Sequence, residues 1–179
     1  MVRSTAIGII ARHLNRNAGR VAALSQRAAE AGELPKAVGR SVPDLAPIEL
    51  ARLLICAIAE RGLGNAATSV REFVALATES GTKLIDLLEG WTSGSVSTSG
   101  FHSLIIQIFP TPSVTVVLHD SRLQFGPDRS HDGASRTIVI QGDALRTIVN
   151  EFRGTALHPA PRRATPAFTF SATAHVKAS

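Results

Sequence analysis

The chain has 179 residues, enough for one compact domain or two small ones. Hydrophobic residues make up 44% and charged ones 18%, so a core can be buried and disorder throughout is excluded. No apolar run is long enough for a membrane helix, and the single cysteine, Cys56, excludes a disulfide framework and a cysteine-based zinc site. With one Trp, Trp91, and no Tyr, a surface that stacks single-stranded bases is not expected.

The charge is unevenly placed. Residues 1–42 carry seven basic side chains (Arg3, Arg12, Arg16, Arg20, Arg27, Lys36, Arg40) against Glu30 and Glu33. The rest of the chain is balanced, so the whole net charge of +5 falls in the first quarter. A basic segment on a neutral body is the footprint of a polyanion binder; it is also what a solvated helix face looks like.

In chain order, residues 3–15 read as a first helix, with Ile7, Ile10, Ala11 and Leu14 on one face. Asn15-Arg16-Asn17-Ala18-Gly19 interrupts it with turn-forming residues. A second helix runs from 18–20 to Ala31, with Val21, Leu24, Ala28 and Ala31 inward, and Gly32 stops it. Residues 33–46 form a loop broken by Pro35 and Pro43. Pro47 suits the first position of a third helix, apolar around most of its circumference and ending at Arg61-Gly62. Asn65 is placed to cap a fourth helix through Glu79, and Thr82 a fifth, Lys83–Trp91.

The composition then changes. Residues 93–100 are rich in Ser and Gly and read as a flexible linker. Ser103–Phe109, Val114–Leu118, Arg122–Phe125 and Arg136–Ile140 read as strands, the middle two joined by a hairpin at His119-Asp120-Ser121. Asp143 is placed to cap a last helix bearing Ala144, Leu145, Ile148, Val149 and Phe152. Phe168, Phe170, Ala172, Ala174 and Val176 alternate with polar residues, which predicts a strand within 167–176 that closes the protein's own sheet or adds to a neighbour's.

The expected fold is α+β. Residues 1–92 form a helix-turn-helix bundle of about five helices, residues 93–100 a linker, and residues 101–179 a small antiparallel sheet with one helix and a terminal strand.

The first two helices have the spacing of a DNA-reading helix-turn-helix. With its apolar stripe inward, the second helix turns Gly19, Ala22, Ala23, Gln26, Arg27 and Glu30 outward. Small residues there would let it sit deep in a groove, Gln26 suits adenine, and Arg27 suits guanine or phosphate. Arg12, Arg16, Asn17 and Arg20 would meet phosphates around the turn, and Lys36 and Arg40 would lie along the backbone. The same pattern also describes an ordinary helical hairpin with a wet basic face.

Residues 7–61 also resemble the N-terminal part of small, mostly uncharacterised proteins of proteobacterial prophages and mobile elements. The resemblance rests on Ile9–Leu14, Gly19–Leu24, Ala28–Lys36, Gly39-Arg40-Ser41 and Leu45–Ala51. It implies a helix-turn-helix module of phage type over about a third of the chain. It departs where Ala46 holds a cap position better filled by Ser or Thr.

Other motifs are weaker. Gly62-Leu-Gly64-Asn-Ala-Ala67 fits a dinucleotide-loop pattern but follows a helix rather than a strand, and reads as a helix corner. His119-Asp120 and His131-Asp132 fall in turns, where both residue types are common for local reasons. Cys56 and Trp91 read as packing residues, and Arg162-Arg163 as a solvated pair or a further phosphate contact. No set of residues at catalytic spacing appears, so no enzyme, metal or cofactor is expected. The expected protein is cytoplasmic, makes no membrane contact and takes no small-molecule substrate. Its partners would be double-stranded DNA and a second copy of itself, in a dimeric transcriptional regulator. The alternative is a phage packaging, virion-assembly or adaptor protein that oligomerises through its C-terminal β region.

Overall fold

The computed structural model describes residues 1–36, 44–128 and 134–154. Arg40, His131-Asp132, Arg162-Arg163 and the expected strand at 167–176 lie outside the described residues. Among the described residues the architecture is α+β: six α-helices and one four-stranded antiparallel sheet.

Helix α1 (Arg3–His13) buries Ala6, Ile9, Ile10 and Ala11, and its entry is tied down. The Leu45 amide donates to the Met1 carbonyl at 2.7 Å, and Val2 bridges Asp44 in antiparallel fashion. Residues 14–17 turn the chain into α2 (Ala18–Glu30), with Asn15 at a φ of +50°. The Asn17 side chain caps α2, accepting from the Arg20 amide at 3.0 Å. Val21, Leu24, Ser25, Ala28 and Ala29 are buried on α2. Ala31, expected inward, is exposed, because the helix ends there and Gly32 takes a φ of +85°.

Helix α3 (Pro47–Ile58) has Pro47 in its first turn and is buried from Leu50 to Ile58 except at Arg52. Its entry lacks a side-chain cap at Ala46, but Glu49 reaches back to accept from the Ala46 amide at 2.7 Å. Helices α1 and α2 pack on it, as do α4 (Ala66–Val74) and α5 (Leu84–Ser93). A 3-10 turn over Leu63–Asn65 leads into α4.

Several boundaries differ from the sequence expectation. Helix α3 stops at Ile58 rather than at 61–62, and Gly62 turns the chain with a φ of +97°. Helix α4 stops at Val74 rather than Glu79, because residues 76–84 form a tight hairpin instead. There the Leu84 amide donates to the Leu76 carbonyl, the Thr82 amide to Thr78 Oγ1, and Gly81 takes a φ of +87°. Asn65 and Thr82 do not cap with their side chains; Asn65 Nδ2 donates back to the Arg61 carbonyl at 3.1 Å. Asp143 lies inside the first turn of its helix, whose cap position is Gln141.

The Ser/Gly stretch is a bonded connection rather than a spacer. Gly94 ends α5 in the left-handed conformation, the Val96 amide donates to the Gly90 carbonyl at 3.0 Å, and Thr98 is buried. Beyond it the sheet runs in the order β3-β2-β1-β4, from β1 (Phe101–Phe109), β2 (Ser113–Leu118), β3 (Arg122–Phe125) and β4 (Arg136–Gln141). Leu104 and Ile106 of β1 lie opposite Val116 and Val114 on one side and Ile140 and Ile138 on the other. Helix α6 (Gly142–Phe152) follows β4 without a loop and buries Leu145, Ile148, Val149 and Phe152 against this face. The buried apolar cluster continues from the helices into the sheet, with Trp91 of α5 edge-on to Phe101 of β1 at 4.9 Å between ring centroids.

Candidate nucleic-acid interface

The outward face of α2 is built by subtraction. Once Val21, Leu24, Ser25, Ala28 and Ala29 are committed to the core, a helical repeat leaves Gly19, Ala22, Gln26, Arg27 and Glu30 exposed, with Ala23 half-buried. This matches the face expected from the periodicity. Near its N-terminal end it is smooth, with no side chain larger than a methyl at 18, 19, 22 or 23. Its longer side chains gather toward the C-terminal end, where Gln26 Nε2 and Arg27 Nη1 both donate to Glu30, at 3.1 and 3.0 Å. These bonds, from Gln26 first and Arg27 second, hold the Glu30 carboxyl below its usual range.

The expected phosphate contacts are arranged less simply than their positions in sequence suggest. Arg3 is buried in the first turn of α1 and does not belong to the surface. Arg12 lies in the last turn of α1 and is ion-paired with Glu151 of α6; His13 Nε2 lies 2.6 Å from the other oxygen of the same carboxylate. Asn17 accepts the Arg20 amide with its side-chain oxygen at the helix cap, and its amide N–H groups are the donors it could offer a phosphate. Arg16 and Arg20 converge on Glu60: Arg16 Nη1 lies 3.4 Å from Oε2, and Arg20 places Nε at 2.7 Å and Nη2 at 2.6 Å from Oε1. Lys36 is exposed and forms no ion pair among the described residues.

Part of the basic excess of the first 42 residues is met in space by two carboxylates from elsewhere in the chain, while Glu33 is drawn to Arg71. Glu60 and Glu151 are the residues that a reading by segment passes over. The signal for Glu60 was present in outline: a charged residue closing an apolar helix just before Gly62 must leave the core and find a partner. Nothing local marks Glu151, since its partners lie 138 and 139 residues away.

Glu60 also shapes its own neighbourhood. Burial, with the nearby Glu60 charge adding to it, pushes the Cys56 thiol up to about 12. Cys56 is 1% exposed and belongs to the apolar core. His119-Asp120 sits in the turn between β2 and β3, and Gly62–Gly64 in the corner between α3 and α4. Among the described residues no helix is long and apolar enough to cross a membrane. Compared with protein-family models, curated proteins and solved structures, the chain matches none of them.

Proposed function

We propose that this chain binds double-stranded DNA through the outward face of α2 and acts as a dimeric regulator of phage or mobile-element type. The observation that carries the reading is the make-up of that face. A smooth, exposed stretch at Gly19, Ala22 and Ala23 runs into Gln26 and Arg27, with Arg12 and Lys36 to either side of α2 in sequence. A helix without bulky outward side chains can approach a groove floor closely, where the Gln26 amide can read a base edge while Arg27 meets phosphate. The ion pairs at Arg12 and Arg27 do not oppose this. Their guanidinium side chains are 62% and 61% exposed, and exposed pairs of this kind are weak enough to exchange for phosphate.

Three cations, Arg12, Arg27 and Lys36, then carry the phosphate contacts, so the logarithm of affinity falls with the logarithm of salt at a slope of about −2.7. Between 50 and 200 mM salt that is a loss of roughly 40-fold. Fluorescence anisotropy with a random-sequence duplex tests it. Ala22→Glu, an exposed change touching no core residue, is expected to weaken binding at least tenfold while leaving the fold intact. An absence of binding at 50 mM salt refutes the reading.

The alternative assembly role is favoured by one observation. Among the described residues strand β4 is an edge of the sheet, and Val139 on it is 52% exposed, a surface suited to strand addition. It becomes the leading reading if DNA binding fails and the protein sediments as a ring or array.

A further inference from the structure

We propose that Glu60 acts as an intrachain counterion, occupying the place at the start of α2 where a DNA phosphate would sit, and so holds Arg16 and Arg20 out of the DNA contact. The proposal rests on the DNA-binding reading and adds to it a device that limits affinity.

The geometry differs from the other pairs on this surface. Arg27–Glu30 is a pair of exposed neighbours on one helix, and Arg12 is mostly exposed. The Glu60 side chain is only 13% exposed, while those of Arg16 and Arg20 above it are 29% and 41% exposed. The carboxylate thus lies beneath two guanidiniums and is shielded from water by them. Each of its oxygens serves one arginine. Arg20 presents its Nε–Nη2 edge, one of the edges a guanidinium uses for two-point recognition of a phosphate, and both nitrogens already contact Oε1. A phosphate cannot take that edge unless Glu60 gives it up.

Glu60 stands two residues past the end of α3 and directly follows Ala59, which is fully buried, so its backbone is held against the core. A phosphate arriving at the turn would meet the Glu60 carboxylate already paired with both guanidiniums. The consequence is a DNA surface that uses fewer cations than the sequence supplies.

The test is Glu60→Gln in the full chain, read by anisotropy against the same random-sequence duplex from 50 to 200 mM salt. Glutamine keeps the shape and removes the charge. Releasing two arginines is expected to steepen the salt slope by about 1.8, so that the variant's advantage over wild type is roughly 12-fold larger at 50 mM than at 200 mM. Adding Arg16→Ala and Arg20→Ala to Glu60→Gln is expected to return the slope to that of wild type. Glu79→Gln, which removes a distant exposed charge, is expected to leave it unchanged.

If wild type binds and Glu60→Gln shows the same slope, the inference falls and the DNA-binding reading stands. Weaker binding by Glu60→Gln also overturns it, because Glu60 would then be positioning the arginines for contact. If neither protein binds at 50 mM, both readings fall together. Binding by the variant alone supports masking of the arginines by Glu60 and refutes DNA binding by the wild-type chain. Should Glu60→Gln fail to fold by circular dichroism, Arg16→Ala with Arg20→Ala decides: an unchanged salt slope supports the inference, and a shallower one refutes it.

Discussion

Glycine-to-alanine substitution at two positions is expected to act with opposite signs, and the structure supplies both magnitudes. Gly8 lies in the interior of α1, is exposed, and a methyl group there would meet nothing within 4 Å. Gly8→Ala therefore realises the helix-propensity difference and stabilises by about 0.8 kcal/mol. Gly142 lies where β4 passes into α6 without a loop. A methyl group there would fall 2.7 Å from the carbonyl oxygens of both His102 and Phe101, at the start of β1. Those oxygens belong to backbone and cannot rotate aside, so β1 or α6 must shift. Overpacking of this kind costs about 1–3 kcal/mol, which exceeds anything alanine contributes to the first turn. For a chain of this size each kcal/mol moves Tm by about 2–4 °C. Thermal unfolding should place Gly8→Ala a few degrees above wild type and Gly142→Ala several degrees below. Movement of both in one direction, or a neutral Gly142→Ala, would refute the described passage from β4 to α6.

Two further outcomes concern charge. Glu151→Ala removes the carboxylate shared by Arg12 and His13, and with it the tie between α1 and α6. It is expected to lower stability by about 1 kcal/mol in low salt and by clearly less in 0.5 M salt; an equal loss in both would assign the effect to packing. Cys56 is expected to resist thiol reagents at pH 8 until the protein is unfolded. Its thiol stays protonated in the native state up to about pH 12, whereas an unfolded chain ionises near 9, so its contribution to stability is full below pH 9 and is lost as pH rises toward 12. Rapid labelling of native protein would show that Cys56 is not enclosed.

Much of the local structure was legible because it follows from short-range rules. The turn between α1 and α2, the start of α3 at Pro47 and the strand Arg122–Phe125 can each be read from a few residues. The end of α4 could not. Ala75-Leu76-Ala77 continues a helical pattern, and what stops it is the return of the chain at Gly81 together with the Gly126 amide, which donates to the Ala77 carbonyl at 2.9 Å. That second partner is 49 residues away in sequence. The candidate interface divides in the same manner. Which side of α2 faces out is a matter of periodicity, and the sequence reading found it. Which cations on that side carry uncompensated charge depends on Glu60 and Glu151, and no local window holds both partners of those pairs. The bonding of the Ser/Gly stretch is not visible in its composition, which reports what a segment can do when isolated. Here hydroxyls and amides bond across one or two residues, and the neighbouring helix and strand are already in contact.

The place where α5 meets β1 gives the protein a built-in optical probe. Trp91 is the only indole, there is no Tyr, and its ring is 2% exposed against Phe101. Indole emission from this chain therefore comes from a single fluorophore at the seam between the helices and the sheet. Its spectrum registers water entering at that seam, whichever side opens first.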